Sequence, residues 1–377
     1  MVYLDYAATT PLHSEVLKTY HQLLSQYFYN ADSIYGKGIE VNRLMEKSRQ
    51  LIANALSVHD DEIIFTSCGS EANSMAIKGI AFQYQNRGKH IITTCIEHSS
   101  VYETCKQLEQ VFGFEVTYLP VDSTGHISID DVKKSIRHDT ILISVMYINN
   151  ELGAIEPISE IKELLKDHPL IKLHVDMVQA LGKVPVDLKG IDCASFSAHK
   201  IYGLKGSGIL YKNKKTTLIP LINGGQQEFA LRGGTSNACT NIVFAKTLRL
   251  ALENFDQKQQ YVKELYRYAL DGLSSLEDVV INSGGLTSHH IINFSCVGYK
   301  PEVILHALEE KDILVSTRSA CSSHTSDVSR VMAQLHIDEK IAKSALRISI
   351  SDLTKKEEID KFIYCLKEIL IEIKKQR

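Results

Sequence analysis

No apolar run in this sequence approaches the roughly 20 residues that a helix needs to span a bilayer. A role inside a membrane is therefore not expected. The opening stretch, Met1-Val2-Tyr3-Leu4-Asp5-Tyr6, has no basic region followed by an apolar core. That argues against a secretory signal and makes the cytoplasm the expected compartment. The eight cysteines, at 68, 95, 105, 193, 239, 296, 321 and 365, form no CxxC pair. Their scatter fits neither a zinc site nor a disulfide framework, so most are expected to be free thiols. Strong charge is missing too. The net charge of −3 argues against nucleic acid as a direct partner. There is no internal repeat and no low-complexity tract, which excludes solenoids and disordered scaffolds.

What is present is the composition of a globular protein, 44% hydrophobic and 23% charged, over 377 residues. That length accommodates two domains. From about residue 60 to 210, short β-rich runs alternate with helical patterns. The expected strands are Glu62–Phe65, His90–Thr93, Glu115–Leu119, Thr140–Val145, Leu173–Val175, Ala194–Phe196 and Gly208–Tyr211. Helices are expected near 69–86, 98–112, 128–136 and 157–166. The alternation implies an α/β fold with a doubly wound, mostly parallel sheet. Residues 237–275 read as one long helical stretch bridging to a second part. Beyond it, Ile291–Phe294, 301–310, Ile313–Val315, Leu346–Ile350 and a final helix near 355–375 suggest a smaller α+β layer.

Ligands in such sheets bind beyond the carboxyl ends of the strands. Lys200 falls there, in Ser195-Phe196-Ser197-Ala198-His199-Lys200-Ile201-Tyr202-Gly203, and Asp176 ends an earlier apolar run. A lysine and an acid so placed suit pyridoxal phosphate: the amine forms a Schiff base, and the acid keeps the pyridine nitrogen protonated. Taken alone, Lys200 reads as a solvated loop lysine. Other polar groups follow the same strand-end rule. Cys68-Gly69-Ser70-Glu71-Ala72-Asn73 opens a helix and offers free N–H groups to a phosphate, although Ser70 could equally be a simple cap. His98 and Asn149-Asn150-Glu151 each follow a strand, with a helix start and a turn as their plainer readings. Gln179 lies three residues past Asp176, and Ser197 and His199 flank the lysine. Five such positions converging on one sheet edge outweigh their separate plain readings. Two features stand apart. Gly224-Gly225 and Arg232-Gly233-Gly234-Thr235 form a flexible loop with a hydroxyl, or an exposed turn. Ser316 to Ser326 is small and polar and reads as an exposed loop carrying one reactive thiol, Cys321. Arg347 could grip a carboxylate in bidentate fashion or serve structure alone.

Read together, these residues resemble the NifS- and IscS-like cysteine desulfurases of the class V aminotransferase group. The resemblance runs nearly end to end. It includes Tyr3-Leu4-Asp5-Tyr6-Ala7-Ala8-Thr9-Thr10-Pro11, the Ser195–Lys200 motif and Ser319-Ala320-Cys321. It implies the type I aspartate-aminotransferase-like fold. A large domain would span 12–260, and a small domain would combine 1–11 with 261–377 and carry the active cysteine. Lys200 would be the Schiff-base lysine, and His98 would stack on the ring and shuttle protons. Asp176 would pair with the pyridine nitrogen and Gln179 with the ring hydroxyl. Gly69, Ser70, Ser197 and His199 would hold the phosphate. Thr235 would reach the neighbouring subunit's phosphate, which implies a homodimer. Asn150 and Arg347, with Asn30, would bind the carboxylate of L-cysteine. No metal is implied. The products would be L-alanine and a persulfide on Cys321, passed to a sulfur-acceptor protein, either an iron–sulfur scaffold or a tRNA-thiolation enzyme. A selenocysteine lyase or a non-catalytic sulfur-trafficking scaffold are the alternatives. The chain departs from the family pattern at Cys68, Met177-Val178, Tyr35 and Arg318, so the branch and the acceptor stay open.

Overall fold

A computed structural model describes residues 1–317 and 328–375. Cys321 and Arg318 lie outside the described residues. The strands are β1 (Val2–Tyr3), β2 (Ile63–Thr66), β3 (His90–Thr94), β4 (Glu115–Leu119), β5 (Thr140–Met146) and β6 (Lys172–Asp176). They continue with β7 (Cys193–Ser197), β8 (Gly208–Lys212), β9 (Val279–Ile281), β10 (Ile291–Cys296), β11 (Ile313–Leu314) and β12 (Ala345–Ser349).

Seven strands form one sheet in the order β2-β8-β7-β6-β5-β3-β4. All run parallel except β8, which is antiparallel to both neighbours. Helices cover both faces, and this is why the strands read as continuous apolar runs rather than alternating ones. Every residue of β5 is buried. Along β2, Ile63 and Phe65 enter one core while Ile64 enters the opposite one, the two-residue period of an extended chain. The Gly69–Tyr84 and Ser99–Phe112 helices close the second face.

A further hydrophobic core joins the two ends of the chain. Val2 and Leu4 pack there with Val262, Leu265, Phe294, Leu346 and Phe362. Strand β1 pairs in parallel with β11, and β12-β10-β9 form an antiparallel sheet. The segment after the undescribed residues returns to the first core through Val331, Met332 and Leu335.

The expected single helix over 237–275 is two helices, Ala238–Leu252 and Phe255–Ser274. The apolar spacing persists through both, so periodicity does not mark the break. Asn254 does, with a left-handed φ of 55° that asparagine tolerates better than most residues. The break lets the helices serve different cores: Phe244 and Leu248 pack under the large sheet, whereas Val262 and Leu265 pack in the other core. Among the described residues no helix is long and apolar enough to cross a membrane.

Candidate active site

The parallel strands end on one edge, and a cavity of about 290 Å³ opens there. Asp176 closes β6, and Lys200 follows β7 on the short turn Ala198–Lys200. His98 caps the helix after β3, and Asn150 follows β5. Gly69 and Ser70 begin the helix after β2. All six line the cavity, together with Gln179, Ser197, His199 and Arg347. The topology thus gathers residues spread over nearly 280 positions of sequence.

Asp176 is buried, and each carboxylate oxygen accepts one hydrogen bond. Asn73 Nδ2 donates to Oδ2 at 2.7 Å, and the Val178 amide donates to Oδ1 at 3.0 Å. Two donors fix the direction in which the remaining lone pairs point. His98 Nδ1 accepts from the Ser100 amide at 3.2 Å and lies 2.8 Å from the Ser100 hydroxyl. Burial holds this imidazole below its usual range. Asp176 opposes that effect, while Lys200 and Arg330 add to it.

Lys200 Nζ donates to the carbonyls of Ala7 and Ala8 at 2.6 and 2.7 Å. The N-terminal segment therefore reaches into the site. Gln179 Nε2 donates to the Ala7 carbonyl at 2.9 Å, and its Oε1 accepts from Lys183 Nζ. Because a carbonyl only accepts, the bond to Ala7 settles which end of the Gln179 amide is nitrogen. Burial pushes Lys183 down to about 7, with Lys200 and Arg347 adding to the effect. Burial likewise pushes His199 down to about 4, ahead of the nearby lysines, so its ring is neutral near pH 7. His199 Nδ1 lies 3.1 Å from the Thr9 hydroxyl.

Arg347 is 2% exposed. Its Nη1 donates to the Asn150 carbonyl at 2.7 Å and its Nη2 to Asp5 Oδ1 at 2.6 Å. Its Nε has no hydrogen-bond partner among the described residues. The adjoining backbone pairs with Ser316 in both directions, so β12 is tied to the segment that precedes Cys321.

Two expected residues lie away from the cavity. Thr235 lines a separate surface pocket with Ser67, Arg232 and Asn237. Asn30 is exposed, and its Oδ1 accepts from the Asp32 amide at 3.0 Å. Sequence reasoning gave no role to Asn73, Ser100, Lys183 or Asp5. Asn73 stands one helical turn past Gly69, which puts it on the same face of the helix as that residue. That spacing was the only signal available for it.

The residues present fit pyridoxal phosphate. A Cβ on Gly69 would lie 2.6 Å from Val178 Cγ2 and 3.7 Å from Ser197 Cβ, so only glycine leaves the cradle at this helix start open. Free N–H groups and hydroxyls there suit a phosphate. A buried acid and a lysine amine face the same cavity.

Comparison with known proteins agrees with this geometry. The family model of the class-V aminotransferases matches residues 2–362. Cysteine desulfurase IscS of Dictyoglomus turgidum is 43% identical over 375 residues, spanning 98% of this chain and 94% of that protein. The mitochondrial cysteine desulfurase of Arabidopsis thaliana is 37% identical over 369 residues, spanning 96% of this chain and 81% of that protein. Among solved structures, a NifS-like protein superposes with a TM-score of 0.91 at 35% identity, covering 99% of both chains. SspA in complex with cysteine superposes with a TM-score of 0.83 at 32% identity, covering 94% of this chain and 100% of that one. Likeness of this extent in sequence and fold places the chain in the class-V aminotransferase family, among the cysteine desulfurases, whose cofactor is pyridoxal phosphate.

Proposed function

We propose that this chain removes sulfur from L-cysteine, releasing L-alanine and leaving a persulfide on Cys321. The observation that carries this reading is the meeting of Lys200, Asp176 and His98 in one cavity of a cysteine-desulfurase relative. Asp176 would hold the pyridine nitrogen of the cofactor and Gln179 its ring hydroxyl. Gly69, Ser70, Ser197 and His199 would hold the phosphate, and Lys200 its aldehyde carbon. Pyridoxal phosphate, when bound, supplies the electron sink that makes the substrate α-proton removable.

The chain's own groups do the rest. Arg347 and Asn150 bind and orient the substrate carboxylate; the Arg347 Nε without a partner among the described residues supports this. Lys200, released as an amine, takes the α-proton. His98 is neutral, so it can give and recover a proton beside the reacting atoms. The Cys321 thiolate attacks the substrate sulfur. An S–S bond forms as the Cβ–S bond breaks, and the electron pair left at Cβ is protonated to give the methyl group of alanine.

The working unit in this reading is a cytoplasmic homodimer in which Thr235 serves the neighbouring subunit's phosphate. Exposed apolar side chains support it. Phe28, Ile34, Tyr35 and Phe229 are 71, 93, 53 and 50% exposed, and Gln227 Nε2 to Asp32 Oδ2, at 2.7 Å, ties their two segments together. The separate core at the chain ends supports a small domain of 1–11 and 261–377 beside a large one of 12–260. A sulfur-acceptor protein takes the persulfide onward, in iron–sulfur cluster assembly or tRNA thiolation. The test is direct. Protein loaded with pyridoxal phosphate and given L-cysteine with a thiol reductant should form alanine and sulfide in equal amounts. Absence of both overturns the reading.

A further inference from the structure

Asn73 is 1% exposed inside a helix whose neighbouring residues Ala72, Ala76 and Ile77 are buried and apolar. An apolar residue would suit that layer better. The side chain also leaves its Oδ1 buried without a hydrogen-bond partner among the described residues. An unmade bond of this kind is destabilising, because the oxygen has lost its water without gaining a donor. Packing therefore does not account for this residue, and its other amide atom does.

Nδ2 makes two bonds, to Asp176 Oδ2 at 2.7 Å and to Ser100 Oγ at 2.9 Å. The amide orientation is forced by chemistry, because a carboxylate only accepts and the reverse rotamer would set oxygen against oxygen. Ser100 Oγ, already accepting from Asn73, turns its own hydrogen toward His98 Nδ1, 2.8 Å away. The Ser100 amide donates to the same nitrogen. The chain of donors runs one way, from Asn73 through Ser100 to the imidazole. Two donors at Nδ1 leave the ring proton on Nε2.

We propose that Asn73 is a positioning residue that aims the Asp176 carboxylate and, through the Ser100 hydroxyl, reinforces the Nε2–H tautomer of His98 that the Ser100 amide sets. The proposal deepens the reading of this cavity as a desulfurase site and rests on it for its catalytic meaning. Among the described residues, the charged groups facing His98 are Asp176 from β6, Lys200 after β7 and Arg330 from the Arg330–Ala333 helix. The tautomer is assigned to the two Ser100 groups at Nδ1, the hydroxyl being oriented by Asn73.

The test uses ring-15N histidine labelling of the full-length protein without cofactor, with His98 assigned from His98→Gln. Wild type should show a single Nε2–H tautomer. Asn73→Leu and Ser100→Ala, which both keep the Ser100 amide donor, should each keep that tautomer but raise the titration midpoint by about half a pH unit, since the hydroxyl donor to the neutral ring is loosened or gone. Ser100→Thr, which keeps the hydroxyl, should retain the wild-type midpoint. In the loaded enzyme, alanine formation by Asn73→Leu should fall about tenfold through kcat, with KM unchanged. If Asn73→Leu does not fold, the Ser100 pair decides. Either folded variant keeping the wild-type midpoint overturns the proposal, as does a raised midpoint in Ser100→Thr. Failure of wild type to make alanine would sink the desulfurase reading while leaving the tautomer result to stand or fall alone.

Discussion

Lys200 is the residue on which the chemistry turns, and the strand-end rule makes it legible from sequence. Lys200→Ala should remove both the visible absorbance of the loaded protein and its turnover, and an absorbance spectrum with an alanine assay checks both. Asp176→Asn should still fold, since Asn73 Nδ2 keeps an oxygen to donate to. Losing the charge that opposes the pyridinium should slow alanine formation by on the order of a hundredfold or more. Glu97, just before His98, is fully buried, and burial pushes it up to about 8. Its folded pKa lies above its unfolded one, so the stability it contributes is complete at low pH and is lost as pH rises through about 8. The Tm of Glu97→Gln should therefore gain on that of wild type between about pH 5 and about pH 8. A constant difference across that range would contradict the assignment. The residues that sequence reading missed share one property. Asn73, Ser100 and Lys183 act on groups 103, 2 and 4 positions away, and only the fold shows which atoms they touch. Thr235 and Asn30 were named with the others, yet neither faces this chain's own cavity.

At the level of elements, the helix start at Gly69 is the tightest fit of the site. Gly69→Ala would press a methyl against Val178 Cγ2 and should cost about 1–3 kcal/mol of stability together with weaker cofactor retention. The double variant Gly69→Ala with Val178→Ala should recover most of the loss, which chemical denaturation can measure. A full loss in the double variant would place the strain elsewhere. The strands were legible because buried parallel strands are short apolar runs bounded by polar turns. Every expected strand of the large sheet has a counterpart within one or two residues, as with Glu115–Leu119 and Thr140–Met146. The break at Asn254 was not legible, because a single left-handed residue leaves the apolar period on both sides intact. Nor could spacing reveal that Ala7 and Ala8 lend carbonyls to Lys200, since that contact spans the whole large sheet.

For the whole molecule, the account makes the site a shared one. The loaded protein should sediment as a dimer at assay concentration, and mixing inactive Lys200→Ala with inactive Thr235→Ala should restore part of the activity in hybrid dimers. An active monomer would contradict the shared site. The central claim is that sulfur leaves L-cysteine and rests on Cys321, and mass spectrometry tests it most directly. Loaded protein treated with L-cysteine, then alkylated and digested, should carry one extra sulfur atom on the peptide containing Cys321. Cys321→Ser should bind cofactor with unchanged absorbance yet gain no sulfur and release no alanine. An extra sulfur on another cysteine, or alanine released by Cys321→Ser at the wild-type rate, would contradict the account.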